Sequence, residues 1–360
     1  MKQERPLLKL LFVSTSVGVL GTGMGGGVEL SMLNLATELK RRGHQITVVA
    51  PAGSVLNSIP IIEVPGELQP TAIDRDRNGP IIMPGNSVLA NMWDFARDRQ
   101  QEFDLILNFA YDWLPFYLTP FFEKPIAHLI SMGSLSEAMD AIASKVASRF
   151  PKTMGLYTFA QAATFPFADK CRCLSNAIDL SLYNFNPTPG SALAWLGRIA
   201  PEKALEDAVA VADKTGIPLK IMGKMQDKDY WEAVKGKYPD APIEYLGFLN
   251  TTQLQAELGK CRALLMTPRW VEAFGNVAIE ALACGVPVVA YSRGGPSEIV
   301  RHGETGFLVE PDSVSGLVEA IARLEDIDRA ACRRQAEAEF SLTALGDRFE
   351  LWFEDIVSGE

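Results

Sequence analysis

The segment Glu272-Ala-Phe-Gly-Asn-Val-Ala-Ile-Glu280 sets two carboxylates around a bare backbone turn. An apolar run, Ala263 to Met266, precedes it, and the pattern after Gly275 reads as a helix ending at Ala283-Cys284-Gly285. Glycine at position 275 lets the main chain approach a ligand closely. The amides of Asn276 and Val277 then fall at a helix start, where unpaired N–H groups and the macrodipole attract an anion. Glu280 lies about two turns beyond Glu272 by helical pitch. It can accept hydrogen bonds from a ribose while Glu272 faces a second polyhydroxylated group. A nucleotide sugar offers both, with a diphosphate between them. Taken singly, each carboxylate reads equally well as an acidic cap or a surface glutamate.

A second constellation is Gly197-Arg198-Ile-Ala-Pro-Glu-Lys203. Arg198 supplies a planar bidentate fork and Lys203 a point charge, a combination suited to a diphosphate leaving group. The alternative for Arg198 is a surface ion pair with Glu202 or Glu206. Upstream, Gly21-Thr-Gly-Met-Gly-Gly-Gly-Val-Glu29 contains the spacing G-x-G-x-x-G at Gly21, Gly23 and Gly26. These glycines start well after the first apolar run ends at Ser14, and the second run closes Val-Val-Ala-Pro51 without an acid for a ribose, which argues against a dinucleotide site. A glycine loop reaching over a diphosphate suits the spacing better. Of the three histidines, His44 and His302 sit in turns and read as structural. His128 ends the apolar run Pro125–Leu129 and is expected to point at the ligand. Asp74/Asp76, Asp227/Asp229 and Asp326/Asp328 have the D-x-D spacing of a metal clamp, but none follows a buried strand. They read as solvated loops, and no metal or other cofactor is expected.

Apolar runs of strand length alternate with helix-period segments along the chain. Leu7–Ser14, Gln45–Ala50, Asp104–Phe109, Pro125–Ser131, Met154–Phe159 and Cys171–Ser175 read as strands. Val28–Arg42, Ser87–Gln100 and Leu135–Arg149 read as helices, and Pro60–Gly85 as a Pro/Gly-rich meander. Turn formers at 184–191 mark a linker, after which the rhythm restarts with strands at Ala192–Gly197, Pro218–Gly223, Ile243–Leu246, Ala263–Met266 and Val286–Tyr291. The expected fold class is α/β, two tandem Rossmann-like doubly wound domains with an interdomain cleft. The expected division is an acceptor-binding domain over 1–187, a nucleotide-sugar-binding domain over 188–343, and a C-terminal helix over 344–360 packing back on the first domain.

Bulk composition agrees with an enzyme. The 360 residues suit two domains, and 48% hydrophobic with 22% charged residues is a globular balance. A net charge of −10 argues against nucleic acid as a partner. The odd count of five cysteines fits reduced thiols and a cytoplasmic location. The apolar run Leu7 to Val13, interrupted by Lys9, is too short for a membrane span.

These motifs together resemble family 4 of the glycosyltransferases, retaining enzymes with the GT-B fold. The likeness includes Gly26-Gly27-Val28-Glu29, Arg41-Arg-Gly-His-Gln-Ile-Thr-Val-Val49, Asn176-Ala-Ile-Asp179, Gly197-Arg198 through Glu202-Lys203, Glu272 through Glu280-Ala-Leu-Ala-Cys-Gly-Val-Pro-Val-Val289, Gly294-Gly-Pro-Ser-Glu298 and Gly303-Glu-Thr-Gly-Phe-Leu308. Ala177 departs from it, standing where the family usually has Gly. The resemblance implies that Arg198 and Lys203 hold the donor diphosphate, Glu280 the ribose, and Glu272 with the amides of Phe274 to Asn276 the transferred sugar. It further implies that Gly26 and Gly27 close over the phosphates and that His128 contacts the sugar. The opening segment through Glu29 is similar to a branch of the family that glucosylates a reduced pterin from UDP-glucose. That implies a flat, amide-rich acceptor, for which Tyr111-Asp112-Trp113 is a plausible platform, with Glu29 close to it. Two other functions share the features above: a UDP-sugar epimerase on the same fold, and a non-catalytic sugar-nucleotide-binding protein.

Overall fold

The computed structural model describes residues 6–21, 26–56, 59–70 and 76–358. They form two compact units. The first comprises the chain up to Asn176 together with the segment from Leu342, and the second runs from Ala177 to Ser341.

The first unit holds a parallel sheet of β1 (Lys9–Val13), β2 (Gln45–Pro51), β3 (Ile61–Val64), β4 (Leu105–Asn108), β5 (Ile126–Leu129), β6 (Met154–Leu156) and β7 (Cys171–Cys173), in the spatial order β3-β2-β1-β4-β5-β6-β7. Helices on both faces bury the central strands from either side, which is why β1, β4 and β5 read as largely apolar runs. The edges differ. In β3, Ile-Ile-Glu-Val, only Val64 is buried, so the strand carries no alternating signal and lies hidden in the expected meander.

The last helix, Leu342–Val357, completes this unit from the far end of the chain. Trp352 is fully buried, donates its indole N–H to Lys152 O at 2.6 Å, and fills the space left by the absent side chain of Gly155. Arg42 donates to Asp347 at 2.7 Å, to Glu350 at 2.8 Å and to Glu38 at 2.8 Å. His44 accepts from Leu8 N at 3.1 Å on Nδ1, and its Nε2 faces Glu350 Oε1 at 3.1 Å, so the ring is part of this docking surface.

The second unit repeats the plan with β8 (Leu193–Leu196), β9 (Leu219–Met222), β10 (Ile243–Gly247), β11 (Leu264–Met266), β12 (Val288–Tyr291) and β13 (Gly306–Val309), all parallel and ordered β10-β9-β8-β11-β12-β13. The turn formers at 184–191 lie inside this unit rather than between the units. Asn186 Nδ2 donates to Gly259 O at 3.0 Å, Arg329 Nε to Asn186 O at 2.8 Å, and Gly190 N to Lys260 O at 2.9 Å. Their backbone polar groups are satisfied against the lead-in to β11, a pairing that composition does not reveal. Ala177 is buried without a left-handed backbone; the residue with positive φ in that turn is Ser175, at 57°. Among the described residues no helix is long and apolar enough to cross a membrane.

Candidate functional site

In the second unit the strand order reverses between β8 and β11, and loops leaving adjacent strands in opposite senses open a crevice at their carboxyl ends. The β8 loop carries Arg198 and Lys203. The β11 loop carries Thr267 to Gly275 and enters the helix Asn276–Ala283. Gly275 caps that helix at φ 101°, a backbone region that strains any side chain, and an added Cβ would press on Met266 Cε at 3.0 Å.

Thr267, which is buried, sews the two loops together. Its hydroxyl faces Ala204 O at 2.9 Å and Lys203 O at 3.1 Å, and it accepts from Trp195 Nε1 at 3.3 Å. Ala204 sits in the left-handed region at φ 45°, a conformation costing an L-residue about 1–2 kcal/mol, so these bonds to its carbonyl and its neighbour's hold a strained turn. Lys203 emerges from that turn and pairs with Glu272. Its ammonium lies 4.8 Å from the Trp270 ring centroid, and Trp270 Nε1 donates to the same Glu272 oxygen, Oε2, at 3.0 Å. Burial alone would raise the Glu272 carboxyl. The Lys203 charge, the bonds from Lys203 and Trp270 and the Arg198 charge outweigh it and hold Glu272 below the usual carboxylate range. Beneath this turn, Gly294 and Gly295 lie against the backbone of Glu272 and Phe274, and Gly295 N donates to Glu272 O at 2.7 Å.

Arg198 donates to Glu202 Oε1 at 2.9 Å and to Gln226 Oε1 at 2.5 Å. Its side chain is one-third exposed, and an exposed i,i+4 pair contributes only about 0.3–0.5 kcal/mol, so Glu202 competes weakly with a phosphate. Glu280, on the helix beyond, is partly buried and accepts from Tyr183 Oη at 2.9 Å; burial pushes its carboxyl up to about 7. Arg198, Lys203, Glu272, Phe274, Gly275, Asn276, Val277 and Glu280 therefore belong to one switch point. Trp270, Thr267 and Tyr183 were not singled out by sequence. The first lies two positions from Glu272, a visible signal; the other two act through contacts that only folding creates.

The first unit treats its residues differently. Its own reversal lies between β1 and β4. Gly21 has φ 86° and Gly26 φ 57°, and Gly26 and Gly27 open the helix Gly26–Arg41. Gly23 lies outside the described residues, as does Asp74. Glu29 turns back to accept from Gly21 N at 2.5 Å. Beyond β4, Asp112 is buried ahead of the helix Trp113–Leu118; Tyr111 packs edge-on to Phe165, and its hydroxyl accepts from Leu135 N at 3.3 Å. Trp113 stacks on Tyr117 at 4.6 Å.

His128 is fully buried on β5, stacked 4.2 Å from the Phe116 ring centroid. Thr119 donates its hydroxyl proton to Pro115 O at 2.9 Å, so the 2.9 Å contact with His128 Nε2 makes that nitrogen the donor. Asn108 Nδ2, at 3.1 Å, then donates to Nδ1. Both ring nitrogens are used within the unit, and burial lowers the imidazole to about 3. The register pairing of Asn108 with His128 across β4 and β5 makes this possible, and sequence order conceals it. The D-x-D pairs have helical roles: Asp227 caps by accepting from Tyr230 N and Asp328 by accepting from Ala330 N.

Residues 186–339 match the family described as Glycosyl transferases group 1. Arg198, Lys203, Glu272 and Glu280 all lie within the matched segment; Gly26, Glu29, Tyr111 and His128 lie outside it. Over a longer span the chain is 26% identical to the glycogen synthase of Mycobacterium tuberculosis, across 89% of this chain and 87% of that one. Among solved structures, Anabaena HepE in complex with UDP and glucose is similar at TM-score 0.75 and 19% identity, covering 95% of this chain and 98% of that one. Sucrose-phosphate synthase from Thermosynechococcus elongatus is similar at TM-score 0.77 and 18% identity, covering 98% and 100%. The fold is GT-B, two parallel-sheet Rossmann-like units, with the family match falling in the second.

Proposed function

We propose that the chain is a retaining hexosyltransferase that moves glucose from UDP-glucose to a small planar acceptor, tetrahydrobiopterin, without a metal. The observation that carries this reading is the grouping at one switch point of two cations, a glycine-opened helix start and two carboxylates of unlike environment. Arg198 and Lys203, with the helix start at Asn276 and Val277, meet the charge that builds on the departing phosphate. Preorganised donors of this kind contribute about 3–4 kcal/mol each to a barrier. Glu272 accepts from hydroxyls of the transferred sugar, and Glu280 from the ribose. Transfer is front-face: the bond from the sugar's anomeric carbon to UDP breaks, the acceptor oxygen bonds to that carbon on the same side, and the acceptor's proton passes to the released phosphate oxygen.

The donor class is supported by kinship, since HepE has been solved with UDP-glucose. The acceptor is supported by the likeness of the opening segment and by the aromatic pair Tyr111 and Trp113 beyond β4, with Gly26, Gly27 and Glu29 in the first turn of the helix that follows β1. Calorimetric titration with UDP, followed by incubation of UDP-glucose with tetrahydrobiopterin and NMR of the anomeric proton, tests each part separately. Absence of UDP binding removes the donor reading. An inverted product removes the retaining mechanism, and UDP-glucose turnover without a glucosylated pterin removes the acceptor.

A further inference from the structure

Tyr183 follows the short turn Leu180–Leu182 and is 4% exposed. Its hydroxyl donates to Glu280 Oε1 at 2.9 Å. The backbone behind that hydroxyl is itself anchored to the Glu280 helix: Arg333 Nη1 donates to Tyr183 O at 2.9 Å and to Ala283 O, the helix's last carbonyl, at 2.8 Å. One residue on, Asn184 N donates to Gln255 Oε1 at 3.2 Å. The ring is thus fixed at both ends relative to the carboxylate it touches. Such a bond occupies one oxygen of Glu280 and restricts its terminal torsion, which is otherwise broad for a glutamate.

We propose that Tyr183 is a positioning residue for donor recognition: its hydroxyl holds Oε1 of Glu280 so that Oε2 is presented to the ribose hydroxyls of the nucleotide. This rests on the nucleotide-sugar reading above and adds to it a residue outside the paired-carboxylate motif. The electrostatics agree. Burial pushes Glu280 up, and the Tyr183 bond acts in the opposite direction, favouring the ionised acceptor form. Burial and the Glu280 charge push the Tyr183 hydroxyl well above its ordinary range, so it stays a donor. The other titratable or charged groups about the pair are Cys284 on the same helix, Asp179 before the turn, and Arg333. Cys284 donates only its backbone N–H, to the Glu280 carbonyl at 3.2 Å, and none of the three takes the place of Tyr183 at the Glu280 carboxylate.

The test is calorimetric titration of UDP and of inorganic pyrophosphate, from pH 5.5 to 8.5, into wild type, Tyr183→Phe, Glu280→Gln and the double variant. Loss of one hydrogen bond to a charged group corresponds to about tenfold. Tyr183→Phe is therefore expected to weaken UDP about tenfold at pH 7 and to raise the pH midpoint of UDP binding by about one unit, leaving pyrophosphate unchanged. Glu280→Gln is expected to abolish the pH step, and adding Tyr183→Phe to it should change UDP affinity less than twofold. Unchanged UDP affinity and midpoint in Tyr183→Phe would overturn the proposal, as would an equal loss for pyrophosphate, which marks a merely structural tyrosine. Wild type that binds no UDP at any pH overturns the nucleotide-sugar reading itself, a result distinct from either of these.

Discussion

The two units share the strand order 3-2-1-4-5-6 about their first strand, yet their switch points are built from opposite materials. In the second, the loops after β8 and β11 carry Arg198, Lys203, Glu272 and a helix start. In the first, the corresponding loops carry glycines and aromatic side chains, and the nearby imidazole is sealed inside the sheet. One backbone plan therefore supplies a place for a ligand, and the side chains decide whether that place is charged. The contrast extends to titration. Burial drives His128 down to about 3 and Glu280 up to about 7, so each is held neutral over much of the acidic range, with opposite consequences for stability.

The sharpest way to break the comparison is to remove charge from the second switch point. Lys203→Ala is expected to lower sugar transfer by about 10²–10³ while the fold is retained by circular dichroism. Full activity in a UDP-release assay would show that the charged crevice is incidental. The His128 side is tested by stability. The unfolded chain takes up a proton near 6.5 and the native ring only near 3, so stability falls as pH drops through that window, by about 1.4 kcal/mol per unit. His128→Gln is expected to flatten urea-denaturation midpoints between pH 6 and 4; an unaltered slope would mean that the ring is not sealed.

Glu280 should show the reverse sign. Its native carboxyl binds a proton up to about 7, whereas the unfolded one releases it near 4.5, so its contribution is present below 4.5 and lost as pH rises to 7. Glu280→Gln is expected to remove that decline, measured by the same titration. The smallest effect belongs to Trp270→Phe, which keeps a ring beside Lys203 but deletes the N–H to Glu272. Transfer is expected to drop about tenfold, the low end of the scale of one hydrogen bond to a charged group. A null result in steady-state kinetics would reduce Trp270 to a packing residue.

Much of the candidate site was legible because it comes from two short segments. Gly275 needs a left-handed backbone, Glu272 and Glu280 flank the helix start it opens, and Arg198 and Lys203 lie on the loop that follows a strand. The surroundings of His128 were not legible because its partners come from elsewhere: Asn108 from the neighbouring strand and Thr119 from the helical turn between. The edge strand β3 was invisible for a related reason, since a strand buried at one residue leaves no periodic trace.

From the chain alone came the βα rhythm, the glycine at the helix start and the paired acids, because each is a local relation between residues a few positions apart. Folding decided what those residues face. It made Thr267 the tie between two loops, gave Trp270 and Lys203 to a single oxygen of Glu272, set Tyr183 against Glu280, and buried His128 between Asn108 and Thr119. The physical reason is that charge state and hydrogen-bond partner depend on burial and on residues distant in sequence. Neither is a property of the local pattern.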